Sequence, residues 1–115
     1  QMRGGATQGI GWGLLEAMAY DEQGTLLTWG FSEYPIPKAP TVPPMETVMV
    51  QVPSDYGPYG AKGVGEPPVI PGGAALADAN ADATGVRLTA LPITPAKLLE
   101  ALLAEGRVRP PSAEK

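Results

Sequence analysis

Gly60-Ala61-Lys62-Gly63-Val64-Gly65-Glu66-Pro67-Pro68 is the stretch on which the reading of this chain turns. Its three glycines let the backbone bend tightly and let another molecule come close. One carboxylate, Glu66, follows them directly. Pro67 and Pro68 then stiffen the chain, so the carboxylate is held rather than free to drift. A plain turn needs fewer glycines, and a flexible hairpin needs no prolines. The pattern suits a single acid fixed beside a bound ligand.

Outward from this loop the chain alternates short regular segments with turns. Upstream, Met45 to Val52 reads as a strand, with Val48, Val50 and Val52 on one face and Thr47, Met49 and Gln51 on the other. Residues 30–44 hold five prolines and read as an ordered loop or crossing segment. Thr25 to Trp29 reads as a short strand after the turn Asp21-Glu22-Gln23-Gly24, where glycine suits a positive φ. Residues 4–20 read as a helix on the recurrence of Ile10, Leu14 and Met18. Gly5, Gly9 and Gly13 leave one face of it bare, although each costs a helix about 0.8–1 kcal/mol against alanine. Close packing of another element and close approach of a cofactor both explain such a stripe.

Downstream, Pro67 and Pro68 suit a helix entrance. Ala74 to Thr84 reads as helix and Gly85 as its C-cap. Val86 to Ala90 reads as a third strand. Thr94 and Pro95 open a last helix whose buried stripe is Leu98, Leu99, Leu102 and Leu103, and Gly106 ends it. The expectation is an α+β fold: a single loop-rich domain over 1–106 with about three helices and three or more short strands, then a loose polar tail over 107–115.

Composition narrows the chemistry. The 115 residues suffice for one domain, and 43% hydrophobic content is too high for a disordered chain. The net charge of −4, with no basic cluster, argues against nucleic acid as a partner. Without cysteine the chain holds no disulfide, thiolate-bound zinc or iron–sulfur cluster. Without histidine, acid–base work falls to a carboxylate, lysine or tyrosine. No stretch is long and apolar enough for a membrane span, and no signal peptide is visible. The chain opens in mid-pattern, which points to a piece of something longer.

The loop 60–68 resembles, residue for residue, the Gly-x-Lys-Gly-x-Gly-Glu-Pro-Pro catalytic loop of the molybdenum hydroxylases, the xanthine dehydrogenase and aldehyde oxidase family. Gln1, Gly4, Gln8, Gly9 and Gly11 resemble the family's glutamine- and glycine-rich segment that opens a helix beside the pterin. Tyr34, Ile36 and Pro37 resemble its Tyr-x-Ile-Pro stretch. Asp82-Ala83-Thr84-Gly85-Val86-Arg87 and Leu91-Pro92-Ile93-Thr94-Pro95 resemble its C-terminal end. The likeness runs in order from residue 1 to about 103. Gly72-Gly73 departs from it, standing where bulkier or alanine-like residues are expected.

The resemblance implies the C-terminal part of the molybdopterin-binding large subunit, inactive alone. It assigns Glu66 as the base at the molybdenum centre and Gln1 as a hydrogen-bond donor to molybdopterin. It implies oxidative hydroxylation of an aldehyde or N-heterocycle, with water as the oxygen source. The cofactor would be molybdopterin, with the mononucleotide and dinucleotide forms both open; bacterial members commonly use the cytosine dinucleotide. Iron–sulfur clusters and FAD would lie on other domains or subunits. The expected partners are therefore the rest of the large subunit, the iron–sulfur and flavin subunits, and the small-molecule substrate. The setting would be cytoplasmic or periplasmic.

Other readings stand beside this one. Glu66 alone would read as a solvated loop acid or a helix N-terminal carboxylate. Lys62 reads as a loop cation on a backbone carbonyl, or as a tuner of Glu66. Trp12, Trp29, Tyr56 and Tyr59 read as core or interface residues rather than as substrate-stacking ones. The glycine loop could cradle an anion at a helix start. However, Lys62 is followed by Gly63 rather than by the Ser or Thr of a P-loop. A non-catalytic interaction domain is the remaining alternative.

Overall fold

The computed structural model describes residues 1–109. Three α-helices order the chain: α1 (Met2–Leu14), α2 (Gly72–Thr84) and α3 (Pro95–Ala104), with short 3-10 turns at Ala39–Thr41 and Pro58–Gly60. The expected tail begins within the described part, but its residues 110–115 lie outside it.

The α1/α2 pair is the heart of the fold, and glycine makes it possible. Gly5, Gly9, Gly11 and Gly13 are the buried residues of α1. A Cβ at Gly72 would lie 2.8 Å from the Cα of Gly9, and one at Gly13 would press into the Leu76 side chain. The two helices therefore meet nearly backbone to backbone. Packing against another element, one of the explanations for the bare stripe, is realised at Gly5, Gly9 and Gly13. The same contact accounts for Gly72, the departure from the family pattern: a side chain there would strike α1.

α1 stops at Leu14 instead of running to residue 20. The amides of Leu15 and Glu16 both donate to the Gly11 carbonyl, at 2.9 and 2.8 Å. The Glu16 side chain then accepts a 2.7 Å hydrogen bond from the Tyr34 hydroxyl. Beyond it the chain enters a hairpin-like turn. Asp21 Oδ1 accepts from the amides of Gln23 (2.9 Å) and Thr25 (2.7 Å), and Gly24 takes φ +80°. These bonds, the Thr25 amide first, hold the Asp21 carboxyl below its ordinary value of 3.8. The Glu16 carboxylate raises the Tyr34 phenol above its ordinary 10.0, the hydrogen bond being the larger cause.

Gly85 ends α2 in the left-handed region, at φ +74°, and its amide donates to the Ala81 carbonyl at 2.8 Å. Thr84 donates to the Asn80 carbonyl and accepts from the Val86 amide. The Asp-Ala-Thr-Gly-Val-Arg motif is thus a helix stop that turns Val86 into the core. Thr94 caps α3 by accepting from the Lys97 amide at 3.3 Å, with Pro95 at the first helical position.

Two expectations need correction. The segments 25–29, 45–52 and 86–90 do not form strands: the described residues hold one isolated antiparallel bridge, Tyr20 to Leu26. A strand needs a neighbour to take its backbone bonds: residues 25–29 reach only that one bridge, and 45–52 and 86–90 pair with no strand among the described residues. The leucine stripe of α3 is not buried either. Leu99 and Leu103 are exposed and no residue of α3 is fully buried. The core proper is Val69, Val86 and Ile93.

The molecule is correspondingly open. It measures 70 × 35 × 26 Å with a radius of gyration of 18.7 Å, against about 13 Å for a compact domain of this length. It exposes 9117 Å2, whereas a folded monomer of 11.9 kDa exposes about 5,900 Å2. No helix among the described residues is long and apolar enough to cross a membrane.

Candidate functional site

The loop 60–68 is placed by α1. Pro68 packs on Gly5, where a Cβ would come within 2.7 Å of the proline Cβ. Val69 is buried, and its carbonyl oxygen would lie 3.0 Å from a Cβ at Gly9. A run of turns joins this anchor to α2. The Val69 amide donates to the Glu66 carbonyl at 2.9 Å, and the Gly72 amide donates to the Val69 carbonyl at 3.1 Å. Glu66 therefore sits one turn before a segment clamped onto the glycine face of α1. The two prolines and that face together fix where its carboxylate emerges.

The carboxylate itself is exposed. It borders a concavity of about 440 Å3, shared with Gln8, Gly9, Trp12, Ile70 and Leu91 among others. The recess is mainly apolar, with one acid at its rim. Lys62 has no ion pair or hydrogen-bond partner among the described residues, so neither role read for it is realised within this chain.

Gln1 and Glu66 are far apart in sequence and close in space. The Gln1 side-chain amide points at the Gly65 carbonyl oxygen across 3.5 Å, a long and weak contact, beyond the usual 2.7–3.2 Å range. Gly63 and Gly65 face open space. A Cβ at either would meet no atom within 4 Å, and neither takes a positive φ. Gly60 differs: it has φ +73° and lies against Pro53. Among the described residues nothing meets a Cβ at 63 or 65.

No three His, Cys, Asp or Glu side chains gather to hold a metal among the described residues. The donor set instead fits a group contacted by a side-chain amide and a bare stretch of backbone. Trp12 is half exposed, and Trp29, Tyr56 and Tyr59 are exposed, so none is a core residue of this chain. Ile70 and Leu91, which share the recess with Glu66, were not legible as site neighbours. Leu91 stands in a recognisable Leu-Pro-Ile-Thr-Pro stretch, but only packing brings it across to α2, where it meets Gly73.

Residues 1–43 match the family profile described as the molybdopterin cofactor-binding domain. The chain is 38% identical over 109 residues to the xanthine dehydrogenase molybdenum-binding subunit of Escherichia coli, covering 94% of this chain and 14% of that subunit. It is 42% identical over 104 residues to the nicotine 6-hydroxylase large subunit of Paenarthrobacter nicotinovorans, covering 88% of this chain and 13% of that one. Its fold superposes on the crystal structure of quinoline 2-oxidoreductase from Pseudomonas putida 86 with a TM-score of 0.81 and 34% identity, over 95% of this chain and 14% of that one. The chain thus spans about a seventh of the length of these relatives.

Proposed function

We propose that this chain, which belongs to the xanthine dehydrogenase and aldehyde oxidase family of molybdenum hydroxylases as a segment of the molybdopterin-binding large subunit, supplies Glu66 as the base in an oxidative hydroxylation. The observation that carries the reading is the juxtaposition of Gln1 with Gly65, next to an exposed Glu66 and two glycines that face open space.

Gln1 would hold the pterin through its side-chain amide, with Gly63 and Gly65 leaving room for it, and the rest of the subunit would supply the remaining contacts. When bound, the molybdenum cofactor supplies the two-electron redox chemistry of the reaction. Glu66 holds and moves one proton. A glutamate carboxylate is ionised at neutral pH. It takes the proton of the water-derived nucleophile onto a carboxylate oxygen as that nucleophile meets the substrate carbon. The clamp of Pro68 and Val69 on α1 keeps that oxygen in place, which a base must be before its basicity matters.

The substrate class is an N-heterocycle or an aldehyde. Relatives named for xanthine, nicotine and quinoline favour the heterocycle, and an aldehyde oxidoreductase of Megalodesulfovibrio gigas at 42% identity keeps the aldehyde in view. We place the iron–sulfur clusters and FAD on other domains or subunits, since this chain has no cysteine to ligate a cluster. Residues 1–106 act as one catalytic-loop unit of a mixed α+β fold.

The test is Glu66→Gln in the complete enzyme. The amide keeps size and hydrogen bonding but takes no proton. Turnover should fall about 10²–10⁴-fold, with molybdenum content unchanged. Near-normal turnover would remove the role.

A further inference from the structure

The least satisfied part of the molecule is the segment between Pro44 and Pro53. Residues 42–53 make no backbone hydrogen bond among the described residues. Their side chains are equally bare: Val48, Met49, Val50 and Val52 are exposed, Val50 by 85%. Unpaired N–H and C=O rows flanked by β-branched side chains are what one strand of a sheet looks like with its neighbours removed.

We infer that residues 45–52 form an inner strand of a β-sheet, paired on both edges by strands from the rest of the large subunit. This rests on the reading of the chain as a segment of that subunit, and names the surface by which it joins the remainder. Three observations select an inner strand. Within 45–52 the one charge is Glu46, near the end, and residues 47–52 contain no charge, proline or glycine, the devices by which exposed edges are protected from further pairing. Prolines stand at 43, 44 and 53, which stop pairing at the ends and leave the interior free for it. The chain also exposes far more surface than a protein of its mass does alone.

The two faces differ in what they meet. Val48, Val50 and Val52 share one face by the two-residue period and border a concavity of about 560 Å3 with Met2 and the loop Tyr59–Val64, which leaves them exposed and open to an apolar layer from the remainder. Thr47 and Met49 border a concavity of about 360 Å3 with Gln1, Met2 and Val64. The proposed strand therefore backs the N-terminus of α1 and the loop leading to Glu66. Its pairing would brace both candidate site segments from behind.

Hydrogen exchange on the complete large subunit, read by mass spectrometry on peptides covering 45–52, tests this. Amides there should exchange at least roughly a thousandfold more slowly than in a free peptide, as in a stable sheet. Exchange at the free-peptide rate would overturn the inference. So would protection that arises only after the iron–sulfur and flavin subunits are added, because the neighbour would then not be the large subunit. Met49→Pro and Val50→Pro, made singly, separate an inner from an edge strand. Successive amides point to opposite edges, so both variants should abolish protection, and tolerance of either would sink the two-sided pairing. Glu66→Gln should leave the exchange pattern unchanged, so a failed base assignment and a failed strand give different results.

Discussion

Glu66 is an ordinary acid by its own surroundings: exposed, without an ion pair among the described residues, bordering a mainly apolar recess. What distinguishes it is the backbone on either side, with open glycines before it and a proline-anchored turn after it. Its motif made it legible in the sequence, and so was Gln1, though their proximity was not. No local pattern shows that residues 64 positions apart meet. Asp21 was equally legible as a turn residue, and it yields a pH prediction. Its folded carboxyl titrates below the ordinary 3.8, the Thr25 amide being the main cause. The group therefore favours the ordered turn at all pH values above the unfolded pKa. That contribution is lost as pH falls through the lower, folded pKa. In a carbon-13 titration of aspartate carboxyls, Asp21 should show a midpoint below 3.8, and Asp21→Asn should remove this acid-side loosening of the turn. A midpoint at or above 3.8 would contradict the hydrogen-bond geometry.

At the scale of elements, the glycine face of α1 is the platform on which the acid is mounted. Gly72→Ala should show this. Its Cβ would fall 2.8 Å from Gly9 Cα and 3.0 Å from Gly9 C, both backbone atoms that cannot swing aside. Overpacking of this kind costs about 1–3 kcal/mol. Because Gly72 ends the turn that begins at Glu66, the strain should also lower turnover while leaving the carboxylate in the sequence. Urea unfolding and turnover of the complete subunit check both effects; unchanged values for each would show that α1 and α2 are not in this contact. The helices were readable from periodicity and caps, Thr94-Pro95 and Gly85 in particular. The early stop of α1 was not, and the Glu16 side chain just beyond it is tied to Tyr34, eighteen residues away in sequence. The strands failed to form for a reason that also lies outside the local sequence. The alternation at 47–52 is real, but pairing belongs to two partners and only one is present.

The whole molecule is built to be covered. Val69, Val86 and Ile93 are a small core for 115 residues. Trp29 and Phe31 project outward, and α3 shows Leu99 and Leu103 to solvent. A free-standing protein rarely leaves so much apolar surface open. Sharing a large share of its length with subunits about seven times longer accounts for it. The platform of α1, the clamp on Pro68 and Val69 and the open glycines are the features by which the proposed delivery of the Glu66 carboxylate to a cofactor would be achieved. Anomalous diffraction at the molybdenum edge, on crystals of the complete cofactor-loaded subunit, tests that delivery most directly. It should find a Glu66 carboxylate oxygen one hydrogen bond, about 2.6–3.2 Å, from an atom coordinated to the metal. A Glu66 side chain turned into bulk water, with the Gly63 and Gly65 face directed away from the metal, would contradict it.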